Sequence, residues 1–158
     1  MKKFKIFFFV FLLSIVLSAC GQKSEVLIMD KPADDGKYHY SNKDLSFSLT
    51  LPEDFIYYQT QRKQTVEYSD IEFFVPTGDK KYNQEVPGYA KPIVLRVYSD
   101  ENWEENIKND PYSDFFEVLG DKKDKVYVIR FWQDIPSDWQ GKWSEDMKNK
   151  IKESFKID

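Results

Sequence analysis

The chain has few of the residues on which most catalytic and metal chemistry depends. It contains one cysteine, Cys20, and one histidine, His39. A single cysteine excludes an intrachain disulfide, a redox pair and a thiolate metal cluster. A single histidine excludes a zinc site built from several imidazoles, and a Ser/His/Asp triad would depend on His39 alone. We therefore predict no catalytic, metal or cofactor site, and expect His39 to be exposed or at a strand edge.

Long apolar runs are also scarce, and the clearest one lies at the N-terminus. Met1–Lys5 carries three lysines, and Ile6–Val16 is apolar apart from Ser14. A basic start, a short apolar run and small residues before Cys20 are typical of a secretory signal peptide. The alternatives are an uncleaved anchor helix or an accidental cysteine, although a membrane span needs about 20 apolar residues.

The apolar run is followed by Leu17-Ser18-Ala19-Cys20. This tetrapeptide resembles the lipobox of bacterial lipoproteins, in which a leucine, a small residue and alanine or glycine precede an obligatory cysteine. The resemblance implies a signal peptide over residues 1–19, a diacylglyceryl group on the Cys20 sulfur and an acyl chain, such as palmitate, on its amine. Two or three acyl chains anchor a protein stably, whereas one does so only marginally. We expect an extracytoplasmic protein on the cell membrane, or on the outer membrane of a cell that has two.

The remaining chain is acidic. Removal of residues 1–19 takes away three lysines and no acidic residue, so the formal charge falls from −4 to −7. An acidic chain is a poor nucleic-acid binder, and it has no polybasic patch for anionic lipid. We expect no nucleic-acid partner, attachment to the membrane through the lipid on Cys20, and an envelope protein or glycan as the partner.

Composition divides the mature chain into a tether and a domain. Residues 20–37 contain scattered charges with Pro32 and Gly36, and about 17 extended residues reach roughly 50 Å. Within them, the apolar patch Val26–Met29 could dock as an edge strand or lie against the membrane. Residues 38–158 are long enough to form one domain with a single core.

The patterning of residues 38–158 predicts an α+β fold. Apolar and polar residues alternate over Asp44–Leu51, as in a half-buried strand. Further strands are predicted at Ile56–Gln64, Val66–Val75, Pro92–Ser99 and Lys125–Gln133. A short helix is predicted over Asp100–Asn109 with Ser99 as its cap, and an amphipathic C-terminal helix over Pro136–Phe155. We therefore expect an antiparallel sheet flanked by a short central helix and a C-terminal helix.

Four segments carry a family resemblance: Tyr40-Ser41-Asn42, Leu45–Leu49, Leu51–Phe55 and Ile151–Lys156. They are similar to the opening and the end of PsbP/Mog1-like domains found in small bacterial lipoproteins. The resemblance covers about residues 38–158 and implies the fold. Phe55 stands where a tryptophan is frequent, and no functional residue carries over.

The arginines suggest a binding surface. The chain has 20 lysines but only three arginines, Arg62, Arg96 and Arg130, all in predicted strands. Arginine is favoured over lysine where a flat cation must stack or pair bidentately. By alternation Arg96 shares a face with Tyr98, and Arg130 shares one with Trp132. If the two strands are neighbours, these four residues form a basic, aromatic patch for an anion or a sugar.

Two alternatives remain open. The arginines could instead form cross-strand ion pairs, for example with Asp70 or Glu72, and only stabilise the sheet. The protein as a whole is interpreted as a noncatalytic envelope lipoprotein with a binding or accessory domain. The other possibility is a surface hydrolase whose carboxylates converge, such as Asp134 and Asp138 beside Trp139, which would need a deep pocket and a raised carboxyl pKa.

Overall fold

The structure is a computed structural model, and it describes residues 27–28, 32–82 and 85–158. The predicted signal peptide and lipobox, including Cys20, lie outside the described residues. Most of the predicted tether, over residues 20–37, also lies outside them.

The described part of the chain forms nine strands, two α-helices and two single 3₁₀ turns. In chain order the strands are β1 (Leu27–Ile28), β2 (Tyr38–Asn42), β3 (Phe47–Leu51), β4 (Gln59–Gln64), β5 (Tyr68–Pro76), β6 (Tyr89–Ser99), β7 (Glu117–Lys122), β8 (Lys125–Phe131) and β9 (Lys156–Ile157). The helices are α1 (Asp100–Asn109) and α2 (Glu145–Ser154), and the 3₁₀ turns are Glu53–Phe55 and Ser113–Phe115.

The strands form two antiparallel sheets. Six of them make the larger sheet, in the order β1-β4-β5-β6-β8-β7, and β2-β3-β9 make the smaller one. All strand pairs are antiparallel, which confirms the predicted α+β class. The expectation of one sheet is wrong, because the alternating strand that ends at Leu51 pairs with β2 and β9 rather than with β4.

The smaller sheet and α2 pack against one face of the larger sheet, which we call the inner face. Its side chains are apolar and almost fully buried: Ile71, Phe73, Val75, Ile93, Leu95, Tyr127, Ile129 and Phe131. Aromatic rings join the two layers, with Tyr40 and Phe73 centroids 5.0 Å apart. The Tyr127 hydroxyl donates a 2.9 Å hydrogen bond to the Leu45 carbonyl. This layer contact forms the main core of the domain.

The opposite face, which we call the outer face, mixes charged, aromatic and apolar side chains. By strand alternation and register it carries Tyr68, Asp70, Glu72, Val94, Arg96, Tyr98, Val126, Val128 and Arg130. Helix α1 covers part of it, and the ring of Trp103 lies 5.1 Å from that of Tyr98. A second, smaller cluster forms there from Tyr98, Val126 and Val128.

The helix predictions are confirmed at α1 and only in part at α2. Helix α1 has the predicted bounds, although Ser99 at its N-cap position makes no side-chain cap hydrogen bond. Helix α2 begins at Glu145 and not near Pro136, because the Ser144 hydroxyl caps it by accepting from the Met147 amide at 3.2 Å. Residues 137–142 form turns instead, and Trp139 and Trp143 are buried in the core without belonging to a helix.

Strand β7 was not predicted from the sequence. It lies at the edge of the larger sheet, and its side chains are exposed or half-buried, so no alternation marks it. The register of its pairing with β8 shifts between Val118 and Gly120, and the φ angle of Gly120 is 157°. A Cβ on Gly120 would lie 3.3 Å from the Ile157 side chain, so glycine allows β7 to pass close to β9.

Part of the predicted tether belongs to the larger sheet. Leu27 and Ile28 pair with Thr60 and Gln59 of β4, so β1 is an edge strand. This is one of the two alternatives left open for the apolar patch. Within the described ranges, no helix has both the length and the apolar character needed to cross a bilayer.

Candidate functional site

Arg96 lies in the middle of the outer face and is held by two carboxylates. Its Nε and Nη2 donate to the two Asp70 carboxylate oxygens at 2.6 and 2.9 Å, and its Nη1 pairs with Asp110. The Nη1 also contacts the Tyr98 hydroxyl at 3.2 Å, and the guanidinium carbon stands 3.5 Å above the Tyr68 ring centre. Arg96 therefore forms the cross-strand ion pair that the sequence left as the alternative to ligand binding.

The Arg96 ion pair is buried and charged. Arg96 is only 6% exposed and Asp70 5%. Burial alone would lower the pKa of Arg96, but its hydrogen bonds to Asp70 and Tyr98 outweigh burial and raise that pKa above its usual value. The fork–fork geometry already neutralises this guanidinium, so Arg96 offers little to an incoming anion.

The two lysines beside this cluster are also paired. The buried Glu72 lies 2.8 Å from the Nζ of both Lys63 and Lys91. Glu85 also pairs with both lysines, with its Oε2 at 2.6 Å from Lys91. Burial alone would raise the pKa of Glu85, but the hydrogen bonds from Lys63 and Lys91 outweigh burial and hold that pKa below its usual value. Two carboxylates and two ammonium groups thus balance one another.

Arg130 differs from the other two arginines, because no carboxylate of the described residues lies within ion-pair distance of it. Arg62 pairs with Asp44 at 3.2 Å, and Arg96 with Asp70 and Asp110. The strand register explains the difference. Asp70 stands opposite Arg96 on the neighbouring strand, whereas Val94 stands opposite Arg130.

Aromatic rings replace the missing carboxylate around Arg130. Its guanidinium carbon lies 4.6 Å from the ring centre of Tyr112 and 5.3 Å from that of Phe116. Both rings come from the connection between α1 and β7, which folds over the end of β8. Cation–π contacts orient a guanidinium, but they leave its hydrogen-bond donors unused. Arg130 is therefore a half-buried cation with donors to offer.

A pocket of about 180 Å³ opens beside Arg130. Its lining consists of Lys91, Val94, Tyr112, Phe115, Arg130, Phe131, Trp132 and Gln133. Trp132 follows the last residue of β8, and its ring packs against Trp139 and Trp143 at 5.7 and 5.0 Å. Tyr112 and Phe115 form the open rim, with 53% and 45% of their surface exposed. The pocket has a cation at one side and mostly apolar walls.

The structure divides the predicted binding residues into two groups. The strands of Arg96 and Arg130 are neighbours and both side chains lie on the outer face, as the hypothesis required. Arg96 and Tyr98 belong to the buried ion-pair cluster, and Arg130 and Trp132 line the pocket. The two groups meet at Phe116, whose ring centre lies 4.9 Å from the Arg96 guanidinium carbon and 5.3 Å from that of Arg130.

The aromatic residues of the connection between α1 and β7 were not predicted to belong to the site. Tyr112, Phe115 and Phe116 surround Arg130, but the connection was assigned to no element. Three aromatic residues within five positions of a non-periodic segment were the available signal, since such a segment has no periodic core position for them. Only the long-range fold shows that they meet Arg130.

His39 lies on β2, an edge strand of the smaller sheet, as expected from the sequence. Its Nε2 is 3.0 Å from the Asp35 carboxylate, and its Nδ1 is 3.2 Å from the Thr50 hydroxyl. Thr50, His39 and Asp35 thus have the order of the nucleophile, base and acid of a catalytic triad, but the His39 side chain is 53% exposed. A solvent-filled edge of this kind gives an attacking hydroxyl no dry, preorganised surroundings.

Asp134 and Asp138 hold two loops together. Asp138 accepts hydrogen bonds from the Thr77 hydroxyl at 2.8 Å and the Gly78 amide at 2.9 Å, and Asp134 pairs with Lys81. Burial alone would raise the pKa of Asp138, but the hydrogen bonds from the Gly78 amide and the Thr77 hydroxyl together outweigh burial and lower that pKa. The hydrogen bond from Lys81 lowers the pKa of Asp134. Both carboxyls are therefore ionised hydrogen-bond acceptors for the loops and poor proton donors.

The described residues contain no group of three or more histidine, cysteine, aspartate or glutamate side chains arranged to hold a metal ion. Comparison of the chain with protein-family models, with characterised proteins and with solved structures finds no match. A fold alone does not define a function, so the pocket beside Arg130 is the basis for assigning one.

Proposed function

We propose that the protein is a membrane-anchored envelope lipoprotein whose domain, residues 38–158, binds an anionic ligand at Arg130 without catalysing a reaction. The anchor is supported by Leu17-Ser18-Ala19-Cys20, with the lipid on Cys20. The binding function is supported by the geometry of the pocket. The ligand belongs to the envelope, as a free molecule or as part of an envelope protein or glycan.

One observation carries the binding function: Arg130 is a half-buried cation, and among the described residues no carboxylate lies within ion-pair distance of it. A charged group that has lost part of its hydration is costly unless an opposite charge replaces the lost water. The same chain gives both other arginines, Arg62 and Arg96, a carboxylate. An anion that enters the pocket would supply the missing partner and gain two parallel hydrogen bonds.

The lining of the pocket supports binding rather than hydrolysis. It contains no histidine, cysteine, serine or carboxylate side chain, and its lysine, Lys91, is already paired with Glu72 and Glu85. The hydrolase alternative needs a carboxyl with a raised pKa. Asp134 and Asp138 both have lowered values, which supports a loop-binding role for them.

We also propose that the domain is PsbP/Mog1-like. The support is the four sequence segments that resemble that family, together with an antiparallel sheet and a C-terminal helix of the kind the resemblance implies. Two of these segments, residues 40–42 and 45–49, lie in and around the β2–β3 hairpin of the smaller sheet.

The anchor is tested by replacing its cysteine in the full chain. Cys20→Ser should abolish incorporation of labelled palmitate and release the protein from the membrane fraction, because no acyl chain can then be attached. Growth on labelled palmitate, followed by fractionation, measures both. Ser18→Thr provides the matched control with the cysteine kept. A Cys20→Ser protein that still carries palmitate would overturn the anchor.

Ligand binding is tested by thermal unfolding of the full chain in non-ionic detergent with a set of carboxylates, phosphates and acidic sugars. A ligand at 100 times its Kd should stabilise the wild type by about 2.7 kcal/mol. Arg130→Met should lose that gain, and Arg62→Met, which changes an arginine outside the pocket, should retain it. Equal stabilisation of Arg130→Met, or no stabilisation of the wild type by any anion, would overturn the function.

A further inference from the structure

The size of the Arg130 pocket limits the part of a ligand that can enter it. Its volume of about 180 Å³ is close to that of an engineered cavity of about 150 Å³ that binds benzene. One six-membered ring or one branched chain of four or five carbons fits such a space. Two linked rings or a disaccharide do not. The pocket is therefore matched to a single small group.

The walls of the pocket favour an apolar group. Val94, Phe115 and Trp132 provide the surfaces that face the space, and Tyr112 adds a ring at the rim. A sugar ring needs several hydrogen-bond partners for its hydroxyls, or it leaves them unpaired at a cost of about 1–3 kcal/mol each. The neutral polar groups among the lining residues are the Gln133 amide, which already donates to the Phe131 carbonyl at 3.3 Å, the Tyr112 hydroxyl and the Trp132 indole N–H, too few for the hydroxyls of a sugar ring. The walls thus suit a hydrocarbon surface better than a hydroxylated one.

The charges around the pocket favour a monoanion. Arg130 is the cation with unused donors, whereas Lys91 is held by Glu72 and Glu85. One guanidinium fork matches one carboxylate in charge and in planar shape. A phosphate dianion would carry one negative charge more than Arg130 balances, in a domain that is acidic overall. One negative charge on the ligand therefore neutralises the positive charge of Arg130.

We infer that the pocket takes a carboxylate joined to one apolar group of about the size of a benzene ring or a leucine side chain. The carboxylate pairs with Arg130, and the apolar group contacts Val94, Phe115 and Trp132. This inference rests on the proposed function, since it names the ligand class of the same site. The chemistry occurs both in small free acids and in the last residue of a peptide with an apolar side chain.

The exposed rim is compatible with both sources of this chemistry. Tyr112 and Phe115 leave the mouth of the pocket open, so a chain attached to the ligand can continue into solvent. A free acid occupies the pocket alone, whereas a peptide also contacts the rim. The test therefore needs one probe of each kind, with neutral partners that differ only in the charged group.

The experiment titrates the full chain in non-ionic detergent by calorimetry. The probes are phenylacetate and its neutral amide, the peptide Gly-Gly-Leu with a free or an amidated C-terminus, inorganic phosphate and glucuronate. We expect phenylacetate or free Gly-Gly-Leu to bind, and the matching amide to bind at least about tenfold more weakly, because it lacks the charge-assisted pair. Binding of the peptide alone identifies a peptide terminus, and binding of both identifies the shared group.

Variants locate the two halves of the ligand. Arg130→Met should weaken binding of the carboxylate probe about tenfold or more. Arg130→Lys should cause an intermediate loss of affinity, because lysine keeps the charge but cannot form the bidentate pair. Phe115→Ala should weaken binding of the carboxylate probe several-fold. Phe115 is exposed enough to be changed without unfolding the domain. Arg62→Lys, outside the pocket, should change nothing.

The outcomes separate the ligand class from the proposed function. Binding of phosphate or glucuronate through Arg130, with neither phenylacetate nor the peptide bound, would overturn the class and leave anion binding in place. Binding of the acid with equal strength to Arg130→Met would overturn both. No binding of any probe to the wild type would also overturn both.

Discussion

The two faces of the six-stranded sheet are built by the same strands but are stabilised in different ways. The inner face packs apolar side chains against the smaller sheet and α2. The outer face buries three charged side chains, Asp70, Glu72 and Arg96, under partial cover from α1. On the inner face each side chain contributes by its own volume. On the outer face the buried charged side chains stabilise the fold only together with their partners, beside the small apolar cluster of Tyr98, Val126 and Val128.

This difference also singles out Arg130. It occupies the same face as Arg96, on the adjacent strand, yet it has aromatic neighbours in place of carboxylates. The two arginines therefore form a natural pair for comparison. Arg96 should matter for stability, and Arg130 should matter for ligand binding.

The largest effect is expected from Arg96→Met. The change leaves Asp70 and Asp110 buried without a cation, which should cost about 3–5 kcal/mol of unfolding free energy. Urea unfolding followed by tryptophan fluorescence measures the loss. The double variant Asp70→Asn/Arg96→Met should lose less than the sum of the two single variants. Simple additivity would show that the two side chains do not act as a pair.

The inner face should respond in proportion to the volume removed. Ile129 is 1% exposed and packs in the main core. Ile129→Ala should cost about 2–4 kcal/mol and Ile129→Val about 1 kcal/mol, because the cavity shrinks with the smaller truncation. The same urea titration provides the comparison with Arg96. Equal losses for the two substitutions would contradict a face stabilised by volume.

A smaller and pH-dependent effect is expected from a carboxylate in contact with solvent. The pKa of Asp138 is lowered in the folded state by the Gly78 amide and the Thr77 hydroxyl, against the opposing effect of burial. Its contribution is present above the unfolded pKa of about 3.9 and is lost as the pH falls below that value. Asp138→Asn should therefore cost less than about 1 kcal/mol at pH 7 and nearly nothing at pH 2. A cost that is the same at both pH values would exclude this charge effect.

The smallest effect on stability is expected from Arg130→Met. The substitution removes cation–π contacts with Tyr112 and Phe116, worth about 0.5–1 kcal/mol, and leaves no carboxylate unpaired. The added apolar contacts of methionine offset part of this loss. The free energy of unfolding should thus change by less than about 1 kcal/mol, far less than with Arg96→Met. A loss comparable to that of Arg96→Met would assign Arg130 a structural role.

The sequence predicted the fold best where at least one face of an element is buried. The alternation in β3 reflects a buried side and a half-buried side, whereas β5 and β6 are buried on both faces along most of their length, and all three strands were predicted. Strand β7 has no fully buried side chain, so no pattern marked it. The C-terminal helix was predicted from Trp143, Met147, Ile151 and Phe155 at steps of four, but the residues before Glu145 are not helical. Trp139 is instead held in a turn by the hydrogen bond from its Nε1 to the Pro76 carbonyl, 3.0 Å long.

The candidate site was predicted in part. The rarity of arginine drew attention to Arg96 and Arg130, and the alternation placed Arg96 on a face with Tyr98 and Arg130 on a face with Trp132. Their different roles depend on which residue stands opposite each of them, Asp70 or Val94, and that register is not visible in the sequence. The rim residues Tyr112 and Phe115 reach Arg130 through a connection whose path is set by tertiary contacts.

The pairing of β1 with β4 limits the distance between the domain and the lipid that we propose on Cys20. Only residues 21–26 separate Cys20 from Leu27, and fully extended they span about 25 Å, half the reach of the whole tether. The strand of Arg130, β8, lies four strands away from β1, about 19 Å across the sheet. A lipid on Cys20 would thus hold the edge of the sheet formed by β1 close to the membrane, whereas the pocket lies near the opposite edge.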